Sequence, residues 1–402
     1  MKKFFALLLS LAMVLALVAC GQKETTTPDD TQTPDDTTPE VEYKIAMITD
    51  YGDITDQSFN QTTYEACKAF AEDNSIEFSY FKPAGDNTAD RVAMIEKAVN
   101  DGFNVIVMPG YAFGGAIVEA APEFPDVKFI ALDVAAGDLL ETAVAKAGEA
   151  YDYTPENWDL NKYVDMSNVY CAVYQEELCG YMAGYAAVKL GYKNLGFLGG
   201  MSVPAVVRYG YGFVQGVDAA AADLGLSDVT LNYVYGGQFF GDADITAVMD
   251  TWYANGTEVV FACGGGIYAS AAEAAAKVEG AKMIGVDVDQ AGIIDGKYGE
   301  GMTVTSAMKG LAPTVKTVLA AISADKWADF GGKMESLGLV SENPEDNYVQ
   351  IPMESTQWSD GFTKDDYKTL VAAMFKGDIK VDNSTEAMPK TEIKVETFGN
   401  IL

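Results

Sequence analysis

From Tyr43 onward, short and almost continuous apolar runs alternate with longer stretches in which apolar side chains return at helical spacing. The runs over 43–49, 76–81, 105–108 and 128–132 predict strands, and the stretches 58–73, 89–101 and 114–121 predict helices. Strands apolar on both sides fit a parallel sheet with helices on both faces. A loop-rich stretch over 135–166 interrupts the rhythm. It restarts with strands over 168–174, 194–198, 229–235, 259–262 and 282–286, separated by helices over 176–190, 206–224, 242–255 and 269–279. Gly210, Gly212 and Gly216 fall inside one of these helices, which implies close packing or weak local stability. A tail from Met302 adds a further strand, a helix over 312–324 and irregular segments.

Two βα series, 43–135 and 168–290, predict an α/β protein of two doubly wound parallel-sheet lobes joined by a hinge. The expected boundaries are 43–165 for an N-terminal lobe, completed by about 305–402, and 166–304 for a C-terminal lobe. A closed (β/α)8 barrel uses the same alternation, but the interruption and the separate tail favour two lobes.

The first residues follow another pattern. Lys2 and Lys3 precede an apolar run from Phe4 to Val18, and Leu17-Val18-Ala19-Cys20 sets small residues before a cysteine. That is a lipoprotein signal over 1–19 with Cys20 as the lipidated residue. The run is shorter than the ~20 residues a transmembrane helix needs. Residues 20–42, rich in Thr, Pro and Asp, offer too little apolar surface to fold and are expected to form a disordered tether. The chain is therefore expected on the extracytoplasmic face of the cell membrane, held by lipid.

Composition removes several functions. The 402 residues contain no histidine and carry a formal charge of −32. Ser-His-Asp, Cys-His and HExxH chemistry is excluded, and nucleic acid is an unsuitable partner for so acidic a chain. Beyond Cys20, the cysteines Cys67, Cys171, Cys179 and Cys263 lie in apolar elements without a CxxC pair and are expected as free buried thiols. No GxGxxG follows the first strand and no P-loop occurs, so no cofactor is expected, and without histidine no metal site is expected.

In open sheets, ligands lie beyond the carboxyl ends of strands. After the first strand a polar loop containing Asp50 leads to Phe59 and Asn60, an aromatic beside an amide. Pro109-Gly110 follows the third strand and Asp133 ends the fourth. In the second series Phe239 and Phe240, then Gly264-Gly265-Gly266, then Asp287 and Asp289 occupy the corresponding places. Lys309 follows the tail strand, where a lone lysine is by default a solvated charge. Aromatics, an amide, carboxylates and glycine loops suit an uncharged polar ligand with a flat ring and hydroxyls. No activated nucleophile accompanies them.

These residues carry a resemblance. The sequence resembles the basic membrane protein family of bacterial lipoproteins, the PnrA-like nucleoside-binding components of ABC transporters, over about 43–345. The carriers are Asp56-Gln57-Ser58-Phe59-Asn60-Gln61, the stretch from Glu176 to Ala187, Leu195-Gly196-Phe197-Leu198-Gly199-Gly200 with Pro204, Gly285-Val286-Asp287-Val288-Asp289-Gln290, and Thr305-Ser306-Ala307-Met308-Lys309. The resemblance implies a type I periplasmic-binding-protein fold with a purine nucleoside between two lobes. It implies that Phe59 stacks on one face of the base and Phe240 on the other, with Phe239 the less favoured candidate. Asn60 would bond the base edge and Asp133 would accept from the base. Asp287 and Lys309 would hold the ribose hydroxyls, Gly264 or Gly265 would supply backbone contact, and Asp50 would add a ribose contact. The implied protein is a monomer that delivers its ligand to an ABC permease and breaks no bond. Departures from the family pattern are Gly264-Gly265-Gly266-Ile267, Tyr51-Gly52, and an aromatic insertion with Tyr151, Tyr153, Trp158 and Tyr163; they bear on ligand identity. Competing readings are a sugar- or autoinducer-binding protein, a surface interaction or sensor protein, and a nucleoside hydrolase built on Asp287 and Asp289.

Overall fold

The computed structural model describes residues 42–402. The expected signal, Cys20 and all but the last residue of the tether lie outside them. The apolar runs become strands because each is buried on both faces. Val105, Ile106, Val107 and Met108, for example, are wholly inaccessible. In chain order the first strands are β1 (Lys44–Ile48), β2 (Glu77–Phe81), β3 (Val105–Pro109), β4 (Lys128–Leu132) and β5 (Val169–Tyr174). Next come β6 (Asn194–Gly199), β7 (Thr230–Tyr235), β8 (Val259–Cys263), β9 (Lys282–Asp287) and β10 (Thr303–Lys309). β11 (Met334–Leu337), β12 (Val349–Gln350) and β13 (Lys394–Asn400) complete the set.

They form two sheets, ordered β11-β5-β4-β3-β1-β2 and β12-β10-β9-β8-β6-β7-β13. All pairings are parallel except that of β12 with β10. Each sheet repeats the doubly wound order second-first-third-fourth-fifth, and a barrel is excluded. This is the two-lobed, periplasmic-binding-protein-like α/β fold.

Sheet membership corrects the expected lobe boundaries. The strand over 168–174 was to open the second lobe, but β5 pairs with β4, so the first sheet keeps its fifth strand. The tail was to complete the first lobe. Only β11 joins the first sheet, whereas β10, β12 and β13 extend the second. Pairing between distant segments decides this, and local periodicity carries no record of it. The stretch read as loop also contains a helix, Ala136–Lys146, which buries Leu139, Leu140, Ala143 and Val144.

The chain passes between the sheets three times: after β5, after β10, and between β11 and β12. The crossings touch. Gln175 N–H donates to the Leu337 carbonyl at 2.9 Å, Gly310 N–H to Tyr348 at 2.7 Å, and Tyr348 N–H to Gly338 at 3.1 Å.

The glycine-rich helix, Pro204–Leu224, packs against Glu176–Lys189 through a seam of glycines. A Cβ at Gly180 would collide with the Tyr209 carbonyl, one at Gly184 with Phe213, one at Gly212 with Glu177, and one at Gly216 with Tyr181. Of the two meanings open for Gly212 and Gly216, close packing is the one realised.

Candidate functional site

The carboxyl ends of both sheets open on a cavity of about 380 Å³, lined from both lobes. Asp133 directly follows β4, and Asp287 ends β9, the fourth strand of each lobe. Both adopt left-handed backbone, at φ of 59° and 64°. Such conformations are uncommon outside glycine and gather at functional sites.

Between these aspartates stands Lys309, at the end of β10, with 3% of its side chain exposed. Its Nζ bonds Asp133 Oδ2 and lies 3.4 Å from Glu176 Oε1 and 3.7 Å from Asp287 Oδ1. Burial pulls its pKa down, but Asp133, Glu176 and Asp287 outweigh that and hold the ammonium above its usual range. The same Nζ sits 4.8 Å from the centre of the Phe59 ring. Burial pushes Asp133 up to about 6, against the pull of Lys309. Glu176, wholly buried, accepts from Arg208 Nε at 2.7 Å.

Asp287 receives Ser58 Oγ–H from the opposite lobe at 2.6 Å, and Tyr209 O–H at 3.3 Å. Gln290 Nε2 crosses as well, donating to the Gln57 carbonyl at 3.0 Å. Ser58 heads the helix Phe59–Asn74 without capping it by its side chain. Asp56 does that work, accepting from the N–H groups of Ser58, Asn60 and Gln61 at 2.9–3.0 Å. Burial raises the Asp56 pKa to about 6.

Two acceptors in this wall have no protein donor, Asn60 Oδ1 and Asp133 Oδ1. The Asn60 amide is oriented by its Nδ2, which faces Asp56 Oδ2 at 3.3 Å. Buried acceptors are rarely left unpaired, so both are ready for donors on a bound molecule. Asp50 is differently placed. Its Oδ1 is taken by the N–H groups of Tyr51 and Gly52, at 2.6 and 2.7 Å. The other oxygen packs against Gly110, where a Cβ would lie 2.9 Å from it.

The roof is aromatic. Tyr51 and Phe239 face each other from opposite lobes at 6.3 Å, and Tyr51 O–H reaches Met201 Sδ at 3.2 Å. Gly264 lies against Phe239 and Gly200, and Gly265 beside the Phe239 carbonyl. Phe240 lines the cavity but is 58% exposed, at its mouth.

All nine sequence-predicted ligand residues, Asp50, Phe59, Asn60, Asp133, Phe240, Gly264, Gly265, Asp287 and Lys309, therefore line one cavity. Tyr51, Tyr111, Arg208 and Tyr209 line it too and were not singled out as contacts. Neither was Glu176, beneath Lys309. Glu176 had a signal, since it opens the helix directly after β5. Arg208 and Tyr209 lie within a helix and had none. Asp289, by contrast, is exposed, accepts from Ala291 N–H at 3.1 Å and does not line the cavity. Among the described residues no group of three or more acidic, cysteine or histidine side chains is arranged to hold a metal. Cys67, Cys171, Cys179 and Cys263 are free and buried. The insertion aromatics Tyr151, Tyr153, Trp158 and Tyr163 cluster together and are not part of the cavity lining.

Two lobes bring polar and aromatic groups to one interior cavity, the arrangement of a binding protein for a small polar solute. A profile of the family described as ABC transporter substrate-binding protein PnrA-like matches residues 43–368, and the chain belongs to that family. Among relatives, the ABC transporter nucleoside-binding protein BmpA of Lactococcus lactis subsp. cremoris is 25% identical, with 79% of this chain and 83% of that one covered. Basic membrane protein B of Borreliella burgdorferi is 24% identical, with 74% and 78% covered. Among solved structures, an ABC transporter solute-binding protein from Aeropyrum pernix K1 superimposes with a TM-score of 0.61 at 19% identity, covering 84% of this chain and 87% of that one. At that identity the likeness speaks for the fold. The protein is thus a solute-binding component of an ABC transporter for a small polar ligand. Its family is consistent with a membrane-anchored, extracytoplasmic location.

Proposed function

We propose that this chain captures a nucleoside, a purine nucleoside above all, and hands it to an ABC permease, working as a lipid-anchored monomer held by Cys20. The carrying observation is the pair of unpartnered acceptors, Asn60 Oδ1 and Asp133 Oδ1, in the wall that also holds the Phe59 ring. A ring that stacks and offers N–H groups at its edge meets both demands. In this reading Phe59 covers one face of the base. Phe239 and Phe240 together cover the other, with Phe239 held against Tyr51 and Phe240 nearer solvent. Asp287 and Lys309 receive the ribose hydroxyls, Asp50 approaches the sugar from the first lobe, and Gly264 and Gly265 offer backbone. The lining carries Asp50, Asp53, Asp56, Asp133, Asp138 and Asp287 against Lys82, Arg208 and Lys309, an acid excess that disfavours phosphorylated ligands. The name of the Lactococcus relative, a nucleoside-binding protein, supports the same ligand class.

Calorimetry tests this. Inosine or guanosine is expected to bind, with their monophosphates and free pentoses binding far more weakly. Asp287→Ala is expected to weaken nucleoside binding at least tenfold, about 1.4 kcal/mol or more, with an unchanged fold. Full affinity in that variant removes Asp287 from the site, and preference for a sugar removes the nucleoside reading.

A further inference from the structure

Residues after 368 lie beyond the stretch matched by the family profile, yet through β13 they are built into the second sheet. After the helix Lys364–Lys376 the chain is tied along the helix Pro204–Leu224. Gln215 and Asp382 exchange two hydrogen bonds, each 2.9 Å, and Asp218 Oδ1 accepts from the N–H groups of Glu392 and Ile393 at 2.8 and 3.0 Å. The chain then runs as β13 along β7, with Lys394 opposite Thr230 and Asn400 opposite Tyr235. Most of β13 is exposed, so backbone pairing holds it more than burial does. At its far end Ile401 N–H donates to the Tyr235 carbonyl at 2.9 Å, and Leu402 rests on Gly237, where a Cβ would lie 3.0 Å from it.

That contact point is where β7 leaves the sheet. Gly236, Gly237 and Gln238 follow Tyr235 and deliver Phe239 and Phe240 to the cavity. Two adjacent glycines give this exit wide conformational freedom, and Gly237 already uses it at φ 86°. On the inner side Gly236 and Gly237 are held by the carbonyls of Gly199 and Gly200, at 2.7 and 3.0 Å. On the outer side the hold comes from Ile401 and Leu402.

We infer that residues 394–402, β13 and the two residues after it, form a positioning strap that clamps the exit of β7 and thereby sets how firmly the Phe239–Phe240 loop is held over the ligand. If the loop takes its binding-competent arrangement only part of the time, apparent affinity falls by that fraction. The strap keeps the fraction high. Its role in affinity rests on the nucleoside reading; its role in ordering the loop does not.

The test compares the full chain with Ile401→Pro, which deletes the N–H donor to Tyr235, and with Leu402→Gly, a milder change that removes the packing on Gly237. Gln215→Ala, which loosens only the distant anchor, is the control. Amide hydrogen exchange and inosine titration are read on each. Exchange over 236–240 should speed at least about fivefold in both strap variants and stay unchanged in the control. Inosine affinity should fall at least about threefold in parallel. Unchanged exchange over 236–240 overturns the inference, and so does a loosening spread evenly through the second lobe. If the unaltered chain fails to bind inosine, the nucleoside reading falls and the exchange result still decides the strap.

Discussion

Lys309 shows how far a residue's meaning depends on its surroundings. In the sequence it is a single lysine after a tail strand; in the structure it is the buried counter-ion of Asp133, Glu176 and Asp287. Removing one partner of a buried ion pair leaves uncompensated charge and costs about 3–5 kcal/mol. Lys309→Met is accordingly expected to lower stability by about that much in urea denaturation. A loss below about 1 kcal/mol would mean that the carboxylates are relieved some other way. The positions of Asp133 and Asp287 were legible as strand ends. Their shared left-handed backbone, and the crossing of Ser58 to Asp287, were not, because both depend on how the two lobes meet.

At the scale of elements, the glycine seam joins the helices Glu176–Lys189 and Pro204–Leu224. Periodicity placed both helices, and the glycines signalled something unusual in the second. What they permit needs the partner helix, whose Glu177 and Tyr181 carbonyls occupy the space a Cβ would take beside Gly212 and Gly216. In an isolated helix glycine to alanine stabilises by roughly 0.5–1 kcal/mol. Here Gly212→Ala is expected to act in the opposite direction, destabilising by about 1–3 kcal/mol through overpacking. A gain in stability, followed by circular dichroism in denaturant, would show that the helices separate freely. Strand assignments fared similarly: β5 and β10 were found from their apolar runs, but their sheet partners were not, since pairing is a long-range choice.

For the whole molecule, four buried acids set a direction with pH. Burial raises Asp56 and Asp133 to about 6, and Asp138 and Glu177 to about 7. Their unfolded values lie near 4, so between pH ~4 and ~7 the folded chain binds more protons than the unfolded one. Stability from these groups is therefore greatest at the acid side of that window and declines as pH rises through it. The net charge of −32 acts the same way, since self-repulsion grows as carboxylates ionise. Below the window the sign reverses. Asp53, hydrogen-bonded by Lys82 and Thr55, and Glu354, hydrogen-bonded by Lys364, have lowered pKa values and lose their stabilising charge as they protonate. The melting temperature is expected to be higher at pH 5 than at pH 7.5 and to fall again below pH 4. A melting temperature that rises steadily from pH 5 to 7.5 would contradict the burial of these acids.

The sequence by itself determined the α/β class, the two βα series and the strands β1 to β10, though not β11 to β13, because apolar periodicity is a local consequence of burial on two faces. It also placed the cavity-lining residues at strand ends, because a doubly wound sheet opens its crevice there. Which strands pair, where the chain crosses between lobes, and how Asp133, Asp287 and Lys309 meet were decided only by the tertiary structure. Those features join residues far apart in the chain, as Ser58 and Asp287 are at 229 positions. Each such meeting reflects the packing of the whole chain, and no local pattern encodes it.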